Sequence, residues 1–170
     1  VNVTTATSTH IYVCPGTDCD SNYSVRATGY FMAPTSGTYT FVTYADDDHY
    51  LFIGNNSESI SDFITRVQAS SATPNAGERG LVVRAPGCCQ RVTGTTSLVA
   101  GGRYPIYATF NEGGGGDYMW TKFKLPGESS FVSGVHSDVS SGLGYYYSNP
   151  AGASGGGGSR AGIYLTGNTT

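Results

Sequence analysis

The stretch PTSGTYTFVTYADDDHYLFIG, running from Pro34 to Gly54, decides the fold. Its segment Thr38 to Tyr44 is an unbroken β-branched and aromatic run, and such side chains fit a pleated surface better than a helix. The run follows Pro34-Thr35-Ser36-Gly37, a turn signal in which Pro presets φ and Gly admits positive φ. A second strand, Tyr50 to Ile53, ends at Gly54-Asn55. The connection Ala45-Asp46-Asp47-Asp48-His49 is too short for a helix, so it links two strands tightly and sets three carboxylates at one end of a sheet.

Working outward, strands are predicted at Tyr23–Phe31, Leu81–Arg84, Tyr104–Phe110 and Tyr118–Leu125, with Gly101-Gly102 as a turn before Tyr104. In Tyr118–Leu125 the period of two puts Met119, Thr121, Phe123 and Leu125 on the core face and Trp120, Lys122 and Lys124 on the other. Only Ser59–Ala69 reads as a helix, with Ile60, Phe63, Ile64 and Val67 on one face behind a Ser59 cap. From Gly127 the chain becomes Ser/Gly-rich, broken by Tyr145-Tyr146-Tyr147 and a strand-like Ile163-Tyr164-Leu165, which is an extra strand pair or a tether. Short strands at this spacing predict an all-β, antiparallel sandwich or barrel. The expected organisation is an N-terminal tethered segment (1–22), a core (23–126) and a C-terminal extension with added strands (127–170) that packs on its own sheet or on a neighbouring subunit.

Composition narrows the function. The 170 residues are 38% hydrophobic and 12% charged, and one domain of that size can bury its own core. Nine Lys+Arg are scattered singly in a chain of net charge -3, so no basic stripe is available to neutralise phosphates, and nucleic acid is disfavoured as a partner. No apolar run approaches the roughly 20 residues of a membrane-spanning helix. The chain starts at Val1 and is expected to be a mature product or an excerpt. Acceptor tripeptides for N-glycosylation begin at Asn2, Asn22, Asn55 and Asn168, and with an even number of cysteines they predict a secreted, cell-surface glycoprotein.

The cysteines are Cys14, Cys19, Cys88 and Cys89. A trans peptide holds adjacent Cα atoms about 3.8 Å apart, below the roughly 4.4 Å floor of ordinary disulfides. Cys88 and Cys89 are therefore expected to pair with Cys14 and Cys19, in an order the sequence leaves open. Closing two loops of about 70 residues would stabilise the fold by on the order of 4 kcal/mol each in the chain-entropy account. A zinc site is the weaker alternative, since vicinal cysteines make poor tetrahedral ligands and no His lies near them.

Three consecutive carboxylates repel one another, and a tight turn holds them either in water or around a cation. Hard oxygen ligands of this kind suit Ca2+ rather than zinc or copper. A second loop, Asn111-Glu112-Gly113-Gly114-Gly115-Gly116-Asp117, adds an amide oxygen, two acids and open backbone carbonyls; if both loops share a sheet end they complete a calcium shell.

At this point the chain resembles a known family. Gly29-Tyr30-Phe31, Ala33-Pro34, Ser36-Gly37-Thr38-Tyr39-Thr40-Phe41, Asp46-Asp47 and Leu51-Phe52-Ile53-Gly54 look like the PA14 superfamily. Cys88-Cys89-Gln90, Leu98, Ala100-Gly101, Tyr104-Pro105-Ile106, Trp120, Phe123 and Leu125-Pro126 continue in the same order, and the vicinal cysteines point to the fungal flocculin and epithelial-adhesin branch with its GLEYA relatives. The resemblance implies a PA14-like β-sandwich in which Asp46 and Asp47, joined by a cis peptide, bind calcium with Asn111 and the carbonyls of Gly113 and Gly115. It further implies a lectin mechanism in which sugar hydroxyls complete the ion's shell, with glycans or cell-wall carbohydrate as partners. Tyr44, His49, Asp117 and Trp120 are the candidates to flank that sugar. Sugar-binding relatives carry bulky or charged residues after the asparagine, whereas here the loop is nearly all Gly.

Two other functions compete. Glycosidases need two acids about 5–9.5 Å apart across a cleft, which adjacent residues on one turn do not supply, and His10, His49 and His136 accompany no nucleophile motif, so an enzyme is not expected. The stronger rival is an architectural subunit of an extracellular filament or surface layer, associating head to tail through its terminal segments, with calcium structural only.

Overall fold

In the computed structural model, residues 10–12, 22–70, 72–115, 118–131, 144–147 and 161–167 are described. Their order is β1 (His10–Tyr12), β2 (Tyr23–Met32), β3 (Gly37–Ala45), β4 (Asp48–Ile53), α1 (Ile60–Val67), β5 (Leu81–Ala85), β6 (Arg91–Leu98), β7 (Arg103–Glu112), β8 (Tyr118–Lys124), β9 (Gly144–Tyr147) and β10 (Ala161–Gly167). All pairings are antiparallel. They build a four-stranded sheet, β1-β8-β3-β6, and a six-stranded sheet, β5-β4-β7-β2-β10-β9.

The predicted strand at Thr38–Tyr44 is the middle of β3, and its alternation shows why it folds so: Tyr39, Phe41, Thr43 and Ala45 are buried inward. β8 supplies Met119 and Phe123 to the same layer, as its period of two requires, with Leu125 packed at the margin. From the other sheet come Phe31, Leu51, Ile106 and Phe110. Phe31 meets Tyr39, Phe41 and Phe123 edge-on, with centroids 5.4, 5.3 and 5.0 Å apart. Full burial of each ring contributes about 2–3 kcal/mol, and edge-to-face contacts add roughly 0.5–1.5 kcal/mol.

β3 and β4 lie in different sheets, so the acidic turn is a crossing of the sandwich rather than a hairpin. The loop from β7 to β8 crosses the same way. The helix is real but shorter than the periodic stretch: Ser59 Oγ accepts from Asp62 N at 3.1 Å, and Phe63 and Val67, one turn apart, bury against Phe52, Leu81 and Tyr107 on the outside of the six-stranded sheet.

β6 escapes the sequence reading because Gly94 interrupts it, yet Gly94 is what lets it pack: a Cβ there would stand 1.8 Å from Val82 O. The C-terminal extension forms a strand pair on this chain's own sheet, β10 along β2 (Tyr164 opposite Tyr30) and β9 along β10.

Two expectations about the backbone are corrected. Cys88 and Cys89 are bonded to each other with Cα atoms 3.8 Å apart, so neither reaches Cys14 or Cys19, which lie outside the described residues. The distance floor applies to cysteines on separate segments; here the intervening peptide is part of a closed ring, and Cys89 takes a left-handed φ of 63°. Among the described residues, the N-terminal segment is joined to the core by backbone pairing, His10 opposite Trp120. The Asp46–Asp47 peptide, expected to be cis, is trans like every other described peptide, the ground state of a non-proline link by about 2.5–4 kcal/mol.

Candidate metal site

Both crossings meet at one end of the sandwich. At the first, β3 delivers Asp46 and β4 begins with Asp48, so Asp46 and Asp47 form the turn itself. The turn is held from several sides: Asp46 O accepts from Cys89 N at 2.5 Å, Asp48 accepts from Gly87 N, and His49 Nδ1 donates to Asp47 O at 2.9 Å. His49 is fully buried, and desolvation lowers its pKa below the ordinary imidazole value against the opposing pull of the Asp47 carbonyl and the Asp48 charge. It is a buried strut inside the turn. This corrects the expectation that it flanks a sugar, because strand alternation turns it into the core.

At the second crossing β7 ends in Glu112, only 3% exposed. Carboxylate oxygens of Asp46, Asp47 and Glu112 lie within 4.8 Å of one another. At that spacing each like-charged pair costs roughly 3 kcal/mol at an effective dielectric of 20, a repulsion that a divalent cation would reverse. The Gly-rich loop wraps the cluster: Gly113 N donates to Asp47 Oδ2 at 2.7 Å and Gly114 N to Glu112 Oε1 at 2.6 Å. A Cβ on Gly113 would stand 3.1 Å from Asp47 Oδ2, and one on Gly115 3.2 Å from Asp46 Oδ2. The near absence of side chains in this loop is thus what lets its backbone close on the acids. A hard, all-oxygen donor set with backbone within reach fits calcium. Asp46 also lies beside Cys88 and Cys89, but those sulfurs are spent on each other.

Of the residues singled out from sequence, Asp46, Asp47, Gly113 and Gly115 come together, and Asn111 does not join them. The period of two along β7 sends Asn111 to the opposite face from Glu112, where its Oδ1 accepts from Ser24 Oγ at 2.8 Å. In the sequence Glu112 counts only as one of two acids in the second loop and is not singled out as a ligand; the signal was present, since 104, 106, 108, 110 and 112 share one face of the strand and Phe110 is a core residue. Trp120 is half-buried on the outer face of the four-stranded sheet, 5.7 Å from the Tyr44 ring, with Lys122 Nζ 5.0 Å from its centroid and the Arg91 guanidinium at 5.8 Å. Tyr44 stands two residues before Asp46 on β3, and Trp120 is its cross-strand partner on β8. Asp117 lies outside the described residues, as do Asn2 and Asn168; Asn22 and Asn55 are exposed.

Comparison with known proteins gives a family match over most of this framework: the GLEYA domain model matches residues 23–124. No curated protein matches the chain. Among solved structures the chain is similar to the epithelial adhesin 9 A domain from Candida glabrata in complex with Galβ1-4GlcNAc, at 20% identity and TM-score 0.47, covering 66% of this chain and 48% of that one. The epithelial adhesin 6 A domain from Candida glabrata in complex with Galβ1-3GlcNAc matches at 19% and 0.47, covering 67% and 48%. The PA14 domain of the MpAFP antifreeze protein matches at 18% and 0.44, covering 65% and 47%. The chain therefore spans about half the length of the structures it matches.

Proposed function

Since the chain belongs to the GLEYA domain family, we propose that it is a calcium-dependent carbohydrate-binding module of the adhesin type, acting at the cell surface. The observation that carries this is the convergence of Asp46, Asp47 and Glu112 at the sheet crossings, closed over by Gly113 and Gly115. In this reading the three carboxylates and the loop carbonyls hold the ion, and Asp48, already engaged by Gly87 N, supports the turn. Bound calcium supplies coordination positions that vicinal hydroxyls of a sugar complete. The Tyr44–Trp120 pair offers aromatic surface beside it for the sugar's apolar face. The chain's own residues bind and orient; none is asked to transfer a proton.

A second reading keeps calcium structural and makes the module a self-associating subunit of a filament or surface layer. One observation favours it: β9 ends the six-stranded sheet among the described residues, and an edge strand is a template for strand addition from a second copy.

A glycan array with and without chelator tests both, with galactose-terminated disaccharides as the first probes. Binding lost in chelator and restored by Ca2+ supports the lectin. Calcium uptake without any glycan signal, accompanied by concentration-dependent assembly, would replace it with the architectural reading.

A further inference from the structure

The outer face of the six-stranded sheet carries a second constellation that the acid cluster does not use. Below the C-terminal end of α1 and the loop that follows it, β2, β4 and β7 line a cavity of about 510 Å³, within the size range of small-molecule sites. Its floor presents one half-buried ring, Tyr50, which stacks on Phe52 with centroids 6.4 Å apart and planes 25° apart; Phe52 and Tyr107, 6.0 Å apart, are buried behind it under α1. Neutral hydrogen-bonding groups surround this floor. Ser24 is joined to Asn111 at 2.8 Å and Gln68 Nε2 donates to Tyr107 Oη at 3.3 Å, with Thr109 between them on β7.

Two guanidinium groups, Arg26 and Arg79, complete the lining, and among the described residues no lining residue is acidic. Arg79 builds the wall by donating to the carbonyls of Val67 and Ser70, both at 2.8 Å, and of Ala72 at 2.5 Å. These neutral carbonyl oxygens accept from three of its five N–H groups without bringing a countercharge. Arg26, opposite Thr109 on β2, brings a second positive charge to the rim.

A tyrosine ring edged by hydroxyl and amide groups suits a pyranose, whose C–H face packs on the ring while its hydroxyls pair at the edge. Two cations without a lining carboxylate add selectivity for an anion. We propose that this cavity is a second saccharide site, specific for a sugar bearing a carboxylate, of the hexuronate class, and independent of calcium. The two sites stand back to back on β7, because the alternation that turns Glu112 to the acid cluster turns Asn111 to the cavity.

The test is calorimetric or NMR titration of the full chain in chelator with three probes: glucuronate, glucose (the sugar without the carboxylate) and acetate (the carboxylate without the sugar). Glucuronate is expected to saturate, with glucose and acetate each at least about tenfold weaker. Arg26→Gln, at an exposed position, should weaken glucuronate about tenfold and leave glucose unchanged. Gln68→Trp, filling the cavity mouth from the exposed end of α1, should abolish binding, and the double variant Asp46→Asn/Asp47→Asn should retain it. Equal affinity for glucose or acetate, loss of glucuronate binding in chelator, or an Arg26→Gln variant that binds as tightly as the parent would overturn the proposal. Failure of the calcium site would leave these outcomes untouched.

Discussion

Asn111 and Glu112 are neighbours in the chain and belong to different sites, and the physical cause is the two-residue period of an extended backbone. The clearest prediction at the residue scale is therefore a pair of opposites. Glu112→Gln should lower calcium affinity about tenfold or more, because carboxylate count tunes such sites, whereas Asn111→Ala should leave it within about twofold. Isothermal titration with Ca2+ separates them, and the reverse ranking would return the ligand role to Asn111. Asp46 and Asp47 were legible in the sequence as paired carboxylates in a short link. Glu112 was legible only as part of an acidic loop, since its role depends on which face of β7 looks inward, and that is settled by partners far away in sequence. His49 marks the same limit: beside three acids it reads as a surface residue, and only the strand's alternation buries it.

At the scale of elements, α1 is anchored from two sides. Phe63 plugs it into the outer face of the sheet, and Glu58, just before it, receives both Arg66 Nε at 2.9 Å and Arg66 Nη2 at 2.7 Å while also accepting from Asn55 N at 2.7 Å. The Arg66 hydrogen bonds hold the Glu58 pKa below the ordinary carboxylate value against the opposing desolvation of burial, with smaller help from the Asn55 N–H and the Arg66 charge. A depressed carboxylate stabilises the fold fully above its unfolded pKa and loses that contribution as pH falls through the folded value. Glu58→Gln should accordingly cost about 1 kcal/mol at neutral pH. The gap to the parent should close as pH drops below the usual carboxylate range, read by denaturant melts across a pH series. Phe63→Ala should cost roughly 3–5 kcal/mol by denaturant unfolding. Gly94→Ala tests the element that sequence missed. Its Cβ would collide with Val82 O, so β6 must shift, at about 1–3 kcal/mol by thermal or denaturant unfolding.

For the whole molecule, the decisive check is the cysteine pairing. Trypsin should release residues 85–91 from the unreduced protein as a single peptide, two hydrogens lighter than its reduced form and unlinked to any peptide containing Cys14 or Cys19. Recovery of a cross-linked pair would restore the disulfide tether and undo the bond between Cys88 and Cys89. The strands with continuous β-branched and aromatic character, β3, β4 and β7, are legible because local side-chain preference and burial agree there. β6, β1 and the placement of β9 and β10 are not, since their pairing energy comes from partner strands that no local window contains.

By itself the sequence determined an all-β sandwich of the right family, with Asp46 and Asp47 offered on a short connection between strands. Those features follow from side-chain shape, period and turn chemistry over a few residues. Only the tertiary structure decided that this connection crosses between two sheets, that Glu112 rather than Asn111 faces it, and that Cys88 and Cys89 close on each other. Each of these depends on which strands become neighbours, a matter of packing free energy summed over the whole core.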